Sequence, residues 1–251
     1  MANAIRLYEH DVRVFAGRLY NHDYLWFSSN EISKVSTTQP ILHNYALCYA
    51  ISQRSYGVYL GSTPKYVEDS DGEFNAMPLY ATPAHANHPE HVSRTTITFN
   101  AVDSRTLTTG DSKKMNTPNL GKRVYIDPAW ESTEAERPEK GYQFYVFTFD
   151  SYCPPGVTRL GKKGASIRIR WDEVPQPVAI YREEEQSPTH PINPLDVNGQ
   201  LVNYDPVMIP PHLLFRTATL AEDWWVFFSP GRTRHTIHVP KRVLNRIGEV
   251  S

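Results

Sequence analysis

Cysteine is scarce in this chain: Cys48 and Cys153 are the only two in 251 residues. Two thiols cannot build a disulfide framework, and two alone do not make a zinc site. Long apolar runs are missing too. The longest blocks, such as residues 224–228, fall far short of the roughly 20 residues a membrane helix needs. The opening MANAIRLYEHDVRV has no apolar segment of the kind a secretory signal carries. The expectation is therefore a soluble, cytoplasmic protein that makes no membrane contact. Familiar catalytic spacings are also absent: there is no GxxxxGK[ST] phosphate loop, no G-x-S-x-G elbow and no H-E-x-x-H zinc motif. Asp172 and Glu173 adjoin on an expected strand and so point to opposite faces, which suits neither two-metal nor glycosidase chemistry.

What is present is enough apolar surface for a core. Hydrophobic residues make up 40% and charged residues 21%, which excludes a globally disordered chain. Prolines (20) outnumber glycines (13), favouring rigid loops over flexible linkers. The net charge of −1 conceals a strong segregation. Residues 154–171 carry Arg159, Lys162, Lys163, Arg168 and Arg170 with no acid, and residues 224–248 carry Arg232, Arg234, Lys241, Arg242 and Arg246, again with none. Acid gathers instead at residues 127–139 and 172–185. Such a division suggests one face for a polyanion and another for solvent or a protein partner. Two exposed basic segments of no special function are the plainer alternative.

Residues 10–17 alternate as a first strand, and the aromatic run LYNHDYLWFSS continues it. Ile41, Leu42, Tyr45, Ala46, Tyr49 and Ala50 recur at helical spacing behind Pro40, predicting a helix over 40–52. Residues 61–90 read as a proline-rich extended loop, 95–101 as a strand, 111–122 as a turn-rich connection and 137–140 as a polar hinge. YQFYVFTFD (142–150) gives the cleanest strand signal, and 165–171 alternates again behind a glycine-bracketed basic loop at 159–164. Residues 186–205 read as loop, 213–218 and 224–229 as strands that pair with each other, and 235–239 as a final strand. Strands with an early helix predict an α+β, β-rich sandwich such as the ferredoxin-like fold.

The basic loop at 159–164 has the character of a phosphate-binding turn, since glycines allow close backbone approach and lysines supply charge. A solvated hairpin is the alternative. His43, beside Tyr45 on the expected helix, is a candidate general acid or base, a phosphate-orienting group, or a hydrogen-bonded semi-buried histidine. His85, His88 and His91 in HANHPEH have regular spacing, but Pro89 argues against a shared helix, so an exposed polar loop is preferred to a metal site.

Six stretches carry a family resemblance: LHNYALCYAIS (42–52), LYATPA (79–84), TFNAVDS (98–104), NTPNLGK (116–122), FYVFTFD (144–150) and RLGKKGASIRI (159–169). In this order, over about residues 20 to 171, the chain resembles the type I-D member of the Cas-five group, RAMP subunits of the CRISPR Cascade effector. The resemblance implies a single ferredoxin-like (RRM-like) RAMP domain over 1–251. Residues 61–140 would form its long inserted thumb, and 172–251 would complete the sheet and supply partner-contacting loops. It implies a non-catalytic RNA-binding subunit that caps the 5′ handle of the CRISPR RNA and touches the backbone and large subunits, for antiviral targeting of DNA. Target DNA near the protospacer-adjacent motif is a further candidate partner. No cofactor and no metal are implied.

The RNA-binding candidates are His43, Asn44, Asn116, Lys122, Arg159, Lys162, Lys163, Arg168 and Arg170, with Arg232 and Arg234 beside the aromatic block at 224–228. Basic segments interleaved with aromatics suit RNA, whose unstacked bases lie on aromatic or Arg planes. Base pairing does the target reading in RNA-guided complexes. Two other readings compete. One is a metal-independent endoribonuclease using His43, Tyr45 and Lys162. The other is a protein-interaction scaffold whose basic segments meet an acidic partner.

Overall fold

The computed structural model describes residues 4–53, 77–86, 88–100, 120–129, 141–231 and 233–248. Its strands are β1 (Ala4–Arg6), β2 (Arg13–Asn21), β3 (Asn30–Ile32), β4 (Val35–Thr37) and β5 (Ile41–Leu42), followed by helix α1 (Asn44–Ser52). Then come β6 (Leu79–Ala81), β7 (Ala84–Ala86), β8 (Arg94–Asn100), β9 (Leu120–Ile126) and β10 (Tyr142–Thr148). The remainder holds β11 (Val157–Leu160), β12 (Ala165–Glu173), β13 (Val178–Arg182), β14 (Gln200–Val207), β15 (Leu214–Ala221), β16 (Asp223–Phe228), β17 (His235–His238) and helix α2 (Lys241–Ile247).

The central sheet runs β11-β12-β2-β10-β7-β5, with β6 also on β10. Its pairings are antiparallel. β2 and β10 lie at its middle because Val14, Leu19, Phe144, Val146 and Phe147 are apolar on both faces, and all are fully buried. The connection from β2 to β6 runs through β5, at the β7 edge of the sheet, and then α1, leaving β10 between β2 and β6. It packs on β6 and β11, where Thr158 Oγ1 donates to Ala50 O and Tyr152 Oη to Ile51 O. The structure is thus β-rich α+β, as the alternation predicts.

Four local expectations change. The helix begins at Asn44 and not at Pro40, because Ile41 and Leu42 pair with His85 and Ala84 as β5. His43 Nδ1 then accepts Tyr45 N–H at 3.2 Å and caps the helix. Within the expected insertion, β6 and β7 belong to the central sheet, since buried Leu79, Ala81 and Ala84 pack there. Of the expected insertion at 61–140, residues 61–76, 87, 101–119 (with most of the turn-rich connection) and 130–140 (with the hinge) lie outside the described residues.

β15 does not pair with β16. It pairs with β14, drawn from the expected loop, while β16 joins a second sheet of order β1-β13-β16-β17. The switch occurs at Glu222, whose φ of 56° turns the chain between the two sheets. The turn is anchored by fully buried Asp223, which accepts Asn198 N–H (3.2 Å), Gly199 N–H (3.1 Å) and Trp224 N–H (2.7 Å) and faces His238 Nε2 at 3.1 Å. Past Glu173, the last residue of β12, the chain therefore joins β1 in a second sheet and forms a hairpin, and does not extend the first sheet. A further sheet, β3-β4-β9-β8, stands beside the end of β2, joined through the bridge Leu25↔Ile126.

Candidate nucleic-acid interface

The β11–β12 hairpin ends in Gly161-Lys162-Lys163-Gly164, closed by Gly164 N–H to Gly161 O at 3.0 Å. Gly161 has φ +81°, and a Cβ there would sit 2.9 Å from Trp26 O. Only glycine fits that turn without strain. The close approach lets Lys162 N–H donate to Trp26 O at 3.0 Å, locking the basic tip onto the segment that leaves β2.

That segment supplies an aromatic cluster. Trp26 lies 6.1 Å from the Tyr125 ring, and Tyr125 meets Tyr24 edge-on at 6.2 Å. The Arg123 guanidinium stands 4.5 Å from the Trp26 ring centre and the Lys162 ammonium 5.2 Å from it. Two cations on one indole repel each other, and the ring's negative face offsets that repulsion. Trp26 and Tyr125 are themselves buried, and of the three rings it is Tyr24, 46% exposed, that offers a surface at the rim of the cluster.

A basic row extends from the tip along one sheet face. Registers Arg159↔Ser166, Arg168↔Tyr20 and Arg170↔Arg18 put Arg159, Arg168, Arg170 and Arg18 on the same side of adjacent strands. All four are exposed. Arg170 and Arg18 are directly opposed, and a like-charge cross-strand pair is destabilising by itself. Arg159 Nη1 donates to Gly164 O at 3.0 Å and braces the turn. Asp23, near Arg159, accepts Ser166 N–H at 3.0 Å, which holds its carboxyl below the ordinary carboxylate value.

The structure thus brings together Arg159, Lys162, Lys163, Arg168 and Arg170. It adds Arg18, Arg123, Tyr24, Trp26 and Tyr125, which the charge pattern does not single out. The available signal was the i, i+2 spacing of Tyr24 and Trp26 in an aromatic-rich run. Lys122 is exposed but lies on the opposite face of β9 from Arg123 and Tyr125, by strand alternation. Arg234 stacks 4.8 Å over Phe227 on the second sheet and takes no part in the cluster. Asn116 and Arg232 lie outside the described residues.

His43 and Asn44 are not surface groups, which corrects the expectation that they meet RNA. His43 is 4% exposed and packs against His212 at 4.7 Å and Tyr45 at 4.8 Å. Burial, aided by His212, lowers its pKa from 6.5 to about 3, so it stays neutral near pH 7. Asn44 is fully buried; it donates to Tyr80 Oη at 2.9 Å and accepts from Asn193 at 3.3 Å. Tyr80 Oη in turn donates to Asp196 at 2.8 Å. Burial raises that carboxyl from 3.8 to about 6. These residues form an internal polar network tying α1 to β6 and the turn Pro194–Asp196.

The match to known proteins is decided by a family model. That of the type I-D CRISPR-associated protein Cas5/Csc1 matches residues 12–246. The chain belongs to this Cas5/Csc1 family. It is thereby a subunit of a type I-D CRISPR Cascade complex, whose members work with CRISPR RNA and with one another. The family match runs through the second sheet to α2, well beyond the stretch of visible resemblance. No curated protein matches the chain. No helix among the described residues is long and apolar enough to cross a membrane.

Proposed function

We propose that this Cas5/Csc1 chain is a non-catalytic RNA-binding subunit, cytoplasmic like the RNA it serves, that holds the 5′ handle of the CRISPR RNA as a single strand. The strand lies along the basic row and past Tyr24 at the rim of the aromatic cluster, and the rest of the chain meets the backbone and large subunits. The observation carrying this reading is the docking of the basic hairpin tip on buried Trp26, which sets phosphate-binding charge beside the exposed ring of Tyr24. Single-stranded RNA is held by that combination. The sheet order β12-β2-β10-β6/β7, with α1 crossing between β2 and β6, supports a ferredoxin-like RAMP core. A crossover helix between β10 and β11 is not among its elements.

The endoribonuclease reading loses its leading residues. His43 and Tyr45 are buried, and Lys162 packs on Trp26. The test is one incubation of the purified chain with end-labelled repeat RNA in EDTA, run on native and denaturing gels. An intact RNA whose shift needs the 5′ handle, and is lost in the Lys162→Glu, Lys163→Glu variant, is expected. Cut RNA, or a shift indifferent to that charge reversal, would overturn the proposal.

A further inference from the structure

The turn between β7 and β8 gathers three metal-type donors although Pro89 argues against a shared helix there. Pro89 does not keep the histidines apart. It starts a single 3-10 turn, Pro89–His91, closed by His91 N–H to His88 O at 3.0 Å. One oxygen of Glu90 then stands 3.2 Å from His88 Nδ1 and 3.7 Å from His91 Nε2. One donor atom from each of the three side chains lies within 4.8 Å of the others, and all three residues are exposed. His85 does not join them; it sits on β7 with its Nε2 3.1 Å from Thr189 O.

A second observation points the same way. His88 and His91 form part of the wall of a pocket that reaches the base of the β8–β9 pair through Ser93, Ile126 and Asp127. Two other wall residues, Asn21 (0% exposed) and Tyr142 (2% exposed), each keep a buried polar atom without a partner among the described residues, namely Oδ1 and Oη. Asp127 Oδ1 is in the same condition, while its Oδ2 accepts Ser93 Oγ at 2.5 Å. Unmet polar groups around one cavity call for ordered water or an ion nearby.

We infer that His88, Glu90 and His91 form a binding site for a divalent transition-metal cation of the zinc class, open on its pocket side. Two imidazoles and one carboxylate suit zinc, cobalt or nickel, whereas magnesium and calcium require more oxygen donors. Tetrahedral zinc, with bonds near 2.0–2.1 Å, keeps its donors roughly 3.4 Å apart. The present spread therefore closes by side-chain rotation. Water on the remaining position would face the pocket. The site stands apart from the Trp26 cluster and does not depend on the RNA-holding role.

The test uses the full chain, stripped with chelator, dialysed and titrated with cobalt(II). Uptake is read by equilibrium dialysis and by the visible d–d band of the bound ion. One cobalt per chain is expected, displaced by zinc but not by magnesium, and weakened on acidification because imidazole must be neutral to bind. His91→Ala should weaken binding by roughly tenfold or more, and Glu90→Gln less. His10→Ala and Cys153→Ser should leave it unchanged. These residues are exposed, so the variants fold and the comparison is direct. No cobalt taken up, equal uptake by the His88→Ala, His91→Ala double variant, or displacement by magnesium would each overturn the assignment.

Discussion

Replacing Lys162 and Lys163 together by Ala tests the electrostatic core of the RNA-holding reading. Both side chains are exposed at the hairpin tip, and the fold there depends on Gly161 and on backbone hydrogen bonds to Trp26 and Gly161, not on the lysine charges. The row Arg18, Arg159, Lys162, Lys163, Arg168 and Arg170 presents six cations. If each neutralises one phosphate of a single strand, log K falls with log salt with a slope of about −4. Losing the two lysines flattens that slope by about 1.4. A fourfold rise in salt should then weaken the native chain about 300-fold and the variant about 50-fold. Fluorescence anisotropy of a labelled 5′-handle RNA across a salt series measures both slopes. Equal slopes would refute the placement of RNA on the hairpin tip, and a native slope near zero would refute the electrostatic reading altogether.

Three further outcomes follow from the same structure. Gly161→Ala forces a left-handed residue and a 2.9 Å approach to Trp26 O, costing at least about 1–2 kcal/mol. Urea unfolding should show that loss together with weaker RNA binding, and native stability would contradict the described turn. His43→Asn keeps a good helix cap while removing a titrating group. His43 has a folded pKa near 3 against an ordinary value of 6.5, so its contribution is fully present above pH 6.5 and is lost as pH falls toward 3. The variant should therefore unfold less steeply over that window in acid titrations followed by circular dichroism; an unchanged profile would mean His43 is not buried. Phe147→Ala empties a fully buried position on β10 and should cost about 3–5 kcal/mol in urea unfolding, and a cost below 1 kcal/mol would deny β10 its central place.

Alternation alone marks β2, β10 and β12, because strands packed on both faces or on one leave a period-2 or continuous apolar signature wherever they pair. The glycine bracket around Lys162 and Lys163 likewise announces a tight basic turn before any coordinates are known. The helix is legible in type but not in its start, since the β5 pairing with β7 competes for Ile41 and Leu42. His43 illustrates the limit: its spacing on the helix is the same whether it faces solvent or His212, and only packing decides.

The sequence by itself determined a β-rich α+β chain, the segregation of its basic segments and the glycine-hinged tip that bears Lys162 and Lys163, because composition and short-range periodicity act through neighbours along the chain. Tertiary structure alone decided the rest. It set Arg123 and Tyr125 of β9 against Trp26, left Lys122 on the far face, turned the chain at Glu222 so that β15 and β16 part into different sheets, and folded His88, Glu90 and His91 into one turn. Each of these depends on which distant strand supplies the partner, or on how one turn closes. Such long-range pairings carry no periodic mark in the residues that make them.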